Sequence, residues 1–548
     1  MRPSGFPAEV PSARQKTAPS ASDSGRTEKE SGPGTRTFAT LAWGAGGMAC
    51  LLALLPAAGH DQMWCLYAAN LMLHGVKLYG PQLFESNPPL IVWLSLVPSA
   101  VAGWLHLPST VLGKLFILGL EGVVAAVSLE MLRKLRLGLS RTVVYALAFV
   151  FLTIFAVMPA RDFGQRDHIL ALLCLPYVIA AALDAEGQPT TGWKAICIGL
   201  AAGLGIALKP HQALIPVAVE SVLVVLRRRG KAGSLLRPEP LVIVACGLAY
   251  LLAIHHFAAD YFAQVVPVLR DVYWAFGHLG WPQLVGEAVQ LHILAVVTLA
   301  AYFATGRHRA SALVTLLIAA GIASTLAYYL QGTGWYYQQL PALSFFTLAL
   351  TFLAIDAAER VRLTTPDWTP KAAAALCLLA LGLTTHFSGY PFTPARSFPI
   401  DTPDPTFFAG FAPGTPVATL TTTVDYIVPP VFKYGLKLAQ RYPHLWMLPA
   451  ILRSEDPQGE PLRRVLPPAR VAELDALQHA AMREDFARWQ PQLVLVERCQ
   501  DPTVHCQVLE DRHDDLLAWF LRDPGFRDIF AHYHYARSAG SFDAYVPN

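Results

Sequence analysis

Long apolar runs separated by short polar turns dominate the chain up to about residue 388, and their lengths predict a bundle of membrane helices. The first run, 38–58, lies too far from the start and is too long for a secretory signal, so it reads as an uncleaved span. Ten further runs fall near 110–132, 142–159, 168–184, 193–208, 211–226, 240–256, 287–305, 311–330, 339–357 and 371–388. A twelfth, 88–107, is broken by Pro98 and Gly103 and decides the topology. Cytoplasmic loops carry the excess of Lys and Arg. The basic clusters here are Arg2 to Arg36, Arg133/Lys134/Arg136/Arg141, Arg227/Arg228/Arg229/Lys231/Arg237, Arg307/Arg309 and Arg360/Arg362. They share one side only if 88–107 lies in the interface, so the pattern predicts eleven spans with the amino terminus cytoplasmic.

From 389 onward the pattern changes. The runs 417–420 and 493–496 read as buried strands, and 468–489 and 508–522 as amphipathic helices. The predicted fold class is therefore an α-helical polytopic membrane protein. It has about 11 transmembrane helices, interfacial helices in the first external loop and a small C-terminal α/β external domain. Residues 1–36 read as a disordered cytoplasmic tail, 37–388 as the transmembrane catalytic domain and 389–548 as the external soluble domain.

Composition agrees: 54% of residues are hydrophobic and 15% charged, against roughly 25% charged in soluble domains. A net charge of +3 gives no electrostatic reason for a nucleic-acid partner. The eight cysteines lack paired C-x-x-C spacing; Cys499 and Cys506 flank a short loop on the predicted external side, where either a disulfide or two free thiols fit.

With this topology the polar chemistry collects outside. The first external loop carries His60-Asp61-Gln62 and Glu85-Ser86-Asn87-Pro88-Pro89, two carboxylates in one loop. The second reads Arg161-Asp162-Phe163-Gly164-Gln165-Arg166-Asp167-His168, which fits a structural ion-pair knot or an Arg site for a phosphate diester. Lys209-Pro210-His211 forms a third turn, where Lys209 either snorkels or enlarges the anion site. His255 and His256 end a span; adjacent helical positions point about 100° apart, so one of them with Glu85 is the arrangement open to a divalent cation. Gly334-Trp335-Tyr336-Tyr337-Gln338 suits an interfacial belt or sugar stacking. No P-loop, G-x-S-x-G, H-E-x-x-H or dinucleotide fingerprint occurs. An external site then needs a substrate that is already activated, and a lipid-linked sugar supplies its own leaving group.

The acidic external loops, Leu78-Tyr79, Glu85 with Asn87-Pro88-Pro89, the 161–168 loop, Lys209-Pro210-His211 and Gly334 to Gln338 resemble the GT-C superfamily of integral membrane glycosyltransferases. The resemblance is to the bacterial branch that holds protein O-mannosyltransferases and the lipid A aminoarabinose transferase. It implies transfer of a hexosyl or pentosyl group from a polyprenyl-phosphate sugar donor to a lipid, glycan or protein acceptor. The setting it implies is the external, periplasmic face of a bacterial inner membrane, among membrane lipids. It also implies Asp61 as inverting general base and Glu85 beside it, either orienting hydroxyls or holding a divalent cation. Arg161, Arg166 and Lys209 would bind donor phosphate. Asp162, Gln165, Asp167, His168, His211, Trp335, Tyr336, Tyr337 and Gln338 would contact substrate. Relatives often have Asp-Glu at Asp61-Gln62 and Lys-Pro-Pro at Asn87-Pro88-Pro89, which removes a second carboxylate and a cation. A polytopic transporter or lipid flippase is the alternative; it calls for ionisable groups deep in the spans, of which Glu121 is one.

Overall fold

The computed structural model describes residues 33–55, 57–135, 137, 139–227, 237–275, 279–305, 311–361, 368–388, 403–456, 465–506, 508–509 and 512–548. The predicted tail up to residue 32, the start of the external domain at 389–402, and Arg136, Arg228, Arg229, Lys231, Arg307, Arg309 and Arg362 lie outside them.

The apolar runs form, in order, α1 (Pro33–Leu54), α4 (Ser109–Leu132), α5 (Arg141–Leu152), α6 (Arg166–Ala185), α7 (Gly192–Leu208) and α8 (Leu214–Arg227). They continue with α9 (Pro238–Phe257), α12 (Val289–Thr305), α13 (Ala312–Gln331), α14 (Leu340–Val361) and α15 (Trp368–Ser388). Between the first two runs lie α2 (His60–Leu73) and α3 (Leu90–Leu105), and before α12 come the short α10 (Val266–Val272) and α11 (Trp281–Glu287). Among the described residues six helices are long and apolar enough to cross a membrane, or seven if α11 and α12, bent by 73°, make one span. That is fewer than the eleven predicted. Several of the remaining apolar helices are short: those at Leu90–Leu105 and Gly192–Leu208 rise about 24–26 Å at 1.5 Å per residue, below a hydrocarbon core of roughly 30 Å. Leu90–Leu105 is one helix despite Pro98.

Helix α6 is buried along almost its whole length, whereas α9 leaves Leu241, Val244, Leu248 and Leu252 exposed, and α12 leaves Val296 and Phe303 exposed. Helices apolar on their outward faces need lipid to cover them. The chain is an integral membrane protein.

The C-terminal part is a five-stranded sheet: β1 (Pro416–Leu420), β2 (Lys437–Leu438), β3 (Leu493–Glu497), β4 (Tyr533–Ala539) and β5 (Phe542–Pro547), in the order β2-β1-β3-β5-β4. β1 runs parallel to β2 and β3; β5 is antiparallel to β3 and β4. The fully buried β3 and the interior of β1 match the predicted apolar runs. Helices α16 (Val428–Tyr434), α17 (Leu448–Glu455), α18 (Pro468–Trp489), α19 (Leu516–Phe520) and α20 (Pro524–Phe530) complete it. α18 forms where the periodicity placed it. Within the helix expected over 508–522 the described residues form α19, whose N-cap Asp515 accepts from the Ala518 N–H; 510 and 511 lie outside the described residues. Cys499 and Cys506 are joined in a disulfide.

This domain sits on the membrane part through directed contacts. Tyr67 Oη accepts from the Leu438 N–H at 3.0 Å, the Phe84 N–H donates to the Arg441 carbonyl at 3.2 Å, and Arg470 pairs with Asp271 at 2.9 Å. Phe84 stacks on Trp446 with ring centroids 5.5 Å apart.

Candidate active site

Two helix N-termini meet under the domain, those of α2 and α6. Gly59 caps α2, and a Cβ there would stand 2.7 Å from the Arg161 carbonyl oxygen, so only glycine admits the 161–168 loop this close. Gly164 adopts φ +85°, and a Cβ on it would meet Gln62 Nε2 at 2.5 Å. Its N–H donates to His168 Nδ1 at 3.0 Å, closing the loop that launches α6. Ala160 holds φ +50°, unfavourable for a residue with a Cβ, immediately before Arg161.

Asp61 lies in the first turn of α2, where the helix dipole favours a carboxylate. Gln165 Nε2 donates to its Oδ2 at 2.9 Å, and His60 Nε2 stands 3.3 Å from its Oδ1. Burial pushes the Asp61 carboxyl up, but His60, Arg166 and Gln165 together outweigh it and hold the group well below the usual carboxylate range. His60 Nδ1 in turn stands 2.5 Å from Asp425 Oδ1 of the C-terminal domain.

Glu85 is buried to 1% exposure. One of its oxygens accepts from Trp64 Nε1; the other accepts from the Asn87 N–H and Nδ2, each at 2.6 Å. Asn87 Oδ1 accepts from Arg166 Nη1. Glu85 thus orients Asn87, and Asn87 orients Arg166. Burial raises the Glu85 carboxyl above its ordinary value against the pull of Asn87, Arg166 and Trp64.

Two cavities meet here. An apolar one of about 210 Å³ runs along Leu66, Ile91, Leu94, Phe116, Ile117 and Leu120. A polar one of about 330 Å³ opens toward the domain. Asp61, Asn87 and Arg166 line both. Of the other residues expected from sequence, Arg161, Asp162, Trp335, Tyr336 and Tyr337 line the polar cavity, and Gln165 the apolar one. Burial pushes Asp162 up to about 6 against the pull of Arg161 and His60.

Glu85, Asp167, His168, Lys209, His211 and Gln338 line neither cavity. Lys209 pairs with Asp167 at 3.0 Å, donates to Gln331 at 3.0 Å and lies 5.3 Å over the Tyr337 ring. Gln338 bonds Thr333. His255 and His256 are exposed on α9. Among the described residues, the ligand atoms of Glu85, His255 and His256 form no group close enough to share a metal; the one such group, Glu497 with Cys499 and Cys506, has its cysteines in the disulfide.

Sequence reasoning missed the far wall: Thr423, Val424, Asp425, His444, Trp446 and Val508 from the C-terminal domain, and Tyr273 from the segment after α10. Nothing local marks the six C-terminal residues, since they reach the cleft only through domain docking. His60 carried the one available signal, its adjacency to Asp61.

No family model matches the chain, and a search of curated proteins returns no match. Among solved structures it is similar to ArnT from Cupriavidus metallidurans bound to undecaprenyl phosphate, at 13% identity and TM-score 0.46, covering 93% of this chain and 97% of that one. The apo ArnT structure gives 12% identity, TM-score 0.46 and coverage of 93% and 98%. The archaeal oligosaccharyltransferase AglB from Archaeoglobus fulgidus, in complex with an inhibitory peptide and a dolichol-phosphate, gives 12%, 0.42, 93% and 74%.

Proposed function

We propose that the chain is a membrane glycosyltransferase that moves a sugar from a polyprenyl-phosphate donor to an acceptor hydroxyl at the outer face of the membrane. The observation that carries this reading is the junction of the two cavities: one apolar and suited to an isoprenoid tail, one polar and suited to a sugar, with Asp61, Asn87 and Arg166 lining both. A lipid-linked sugar has that division of polarity, with its phosphate at the boundary.

In this reading Arg166 receives the phosphate, aided by Arg161 across the polar cavity and by the N-terminus of α6. Asp61 takes the acceptor proton as the acceptor oxygen bonds to the anomeric carbon. The bond from that carbon to the phosphate oxygen breaks, and the polyprenyl phosphate leaves with the electron pair. One displacement inverts the anomeric centre. Arg166 faces the charge that builds on the leaving phosphate. Glu85 and Lys209 support from behind, through Asn87 and Asp167. Asp162, Trp335, Tyr336 and Tyr337 offer hydroxyl and ring contacts to the sugar. No step calls on a divalent cation.

The testing experiment is transfer of radiolabelled sugar from a panel of polyprenyl-phosphate pentoses and hexoses into membranes containing the wild-type chain, Asp61→Asn or Arg166→Ala at matched folded amounts. Transfer by the wild type, lost in both variants, is the expected result. Full activity in Asp61→Asn would remove the base assignment, and wild-type inactivity with every donor would overturn the reading.

A further inference from the structure

We propose that His60, clamped by Asp425 of the C-terminal domain, is a positioning residue for the Asp61 carboxylate, so that the site is complete only while that domain is docked over the cleft. This rests on the transfer reaction proposed above.

The imidazole ring stands between two carboxylates, Nε2 at 3.3 Å from Asp61 Oδ1 and Nδ1 at 2.5 Å from Asp425 Oδ1. A neutral imidazole has a single N–H, so donation to both sides requires the imidazolium. Gln165 holds the second Asp61 oxygen at 2.9 Å. The carboxylate is therefore gripped from both sides, by the loop before α6 and by a ring whose far nitrogen belongs to another domain. A carboxylate held this way cannot swing about its side-chain torsions, which preserves the orientation that proton abstraction needs.

The groups acting on His60 are Asp61 on its own helix, Asp162 before α6, and Asp425 and His444 on the domain; Arg161 and Arg166 line the same cleft. Burial disfavours the charged ring, yet Asp61 and Asp425 outweigh it and hold its proton well above the ordinary histidine range. Burial instead leaves His444 uncharged, down at about 4, so it brings no competing cation at neutral pH. Asp425 is held in a capped turn, where its N–H donates to Thr423 Oγ1, and the Tyr67–Leu438 and Phe84–Arg441 bonds seat the domain.

The test uses the full chain in lipid. Ring-¹⁵N histidine spectra, with His60 assigned by difference against His60→Gln, should show a doubly protonated ring at about pH 8 in the wild type and a neutral ring in Asp425→Asn. In transfer assays Asp425→Asn and His60→Gln should lower kcat by about tenfold to a hundredfold with donor KM unchanged. His60→Gln should also move the acid limb of the kcat profile to higher pH, because Asp61 loses its adjacent cation. Asp425→Glu should recover part of the kcat. Circular dichroism and thermal unfolding confirm that the variants fold. A neutral His60 ring in the wild type, or a ring signal that Asp425→Asn leaves unchanged, overturns the clamp. Wild-type kcat in a folded Asp425→Asn does the same. Wild-type inactivity with every donor overturns the transferase reading and with it the catalytic role of the clamp, whereas the ring spectra still read the clamp itself.

Discussion

Arg166 opens α6 and Asp184 stands near its close, about 27 Å away at 1.5 Å per residue, and each end gathers guanidinium and carboxylate groups against apolar helices. At the far end Arg237, 4% exposed, pairs with Asp184 at 3.4 Å, Glu220 at 2.6 Å and Glu239 at 3.4 Å. It also lies 5.6 Å over the Tyr177 ring, and Tyr177 Oη donates to Glu220 at 2.7 Å. None of these residues borders either cavity. At the near end, among the described residues, the one side-chain hydrogen bond of Arg166 goes to a neutral amide, that of Asn87, and Arg166 borders both cavities. A guanidinium neutralised by three carboxylates is a structural knot. One held by a single amide keeps its charge and most of its donors for an incoming anion. Neutralisation by paired carboxylates, more than the presence of charge, separates the scaffold end from the cleft end.

The sharpest way to break this contrast is Asp61→Asn. Transfer is expected to fall by roughly 10²- to 10⁴-fold, measured as label transfer per folded molecule, with a smaller loss of stability from the contacts to His60 and Gln165; a stability loss as large as that of Arg237→Met with transfer retained would make Asp61 part of a knot too. Arg237→Met should do the reverse. Leaving three carboxylates without their cation costs about 3–5 kcal/mol, read as a lower thermal midpoint, while activity per folded molecule stays at the wild-type level. Arg166→Ala comes next, at about 3–4 kcal/mol of transition-state stabilisation, seen as a fall in kcat/KM, with little thermal effect.

The smallest effect is in pH. Asp162 is raised from 3.8 to about 6 by burial, so the folded chain holds its proton longer than the unfolded one. Stability from this group is full below about pH 4 and falls as pH rises through about 6, by up to about 3 kcal/mol. Asp485, buried in α18 and also raised to about 6, adds a slope of the same sign. Asp162→Asn should therefore reduce, without abolishing, the loss of stability between about pH 4 and 6 in thermal scans.

Much of the scaffold was legible in the sequence because apolar periodicity acts locally. Each of the eleven runs became a helix, the strands at 417–420 and 493–496 formed, and α18 runs from Pro468 to Trp489. The hairpin of β4 and β5 was missed, since its residues alternate weakly and β4 is largely exposed. The membrane half of the cleft lining was also readable: Asp61, Arg161, Asp162, Gln165 and Arg166 stand in short polar loops between long apolar runs. Proximity in sequence did not separate the cavity-lining residues from those behind them. Glu85, Asp167 and Lys209 carry the same charges as their neighbours, yet their side chains are spent on Trp64, on each other and on Asn87. Asp425 and His444 left no trace, since their place depends on how a sheet docks against α2.

The pairing of His60 with Asp425 also imposes an order in time. At about 5–20 residues per second of synthesis, roughly twenty to seventy seconds separate the emergence of the two partners. Throughout that interval the membrane helices can insert and pack with Asp61 already in place but its ring partner unclamped. A half-made chain therefore carries the apolar cavity before the polar one has its far wall. On the proposed mechanism, activity is then gained only once the strands β4 and β5 close the sheet and the domain settles over the cleft.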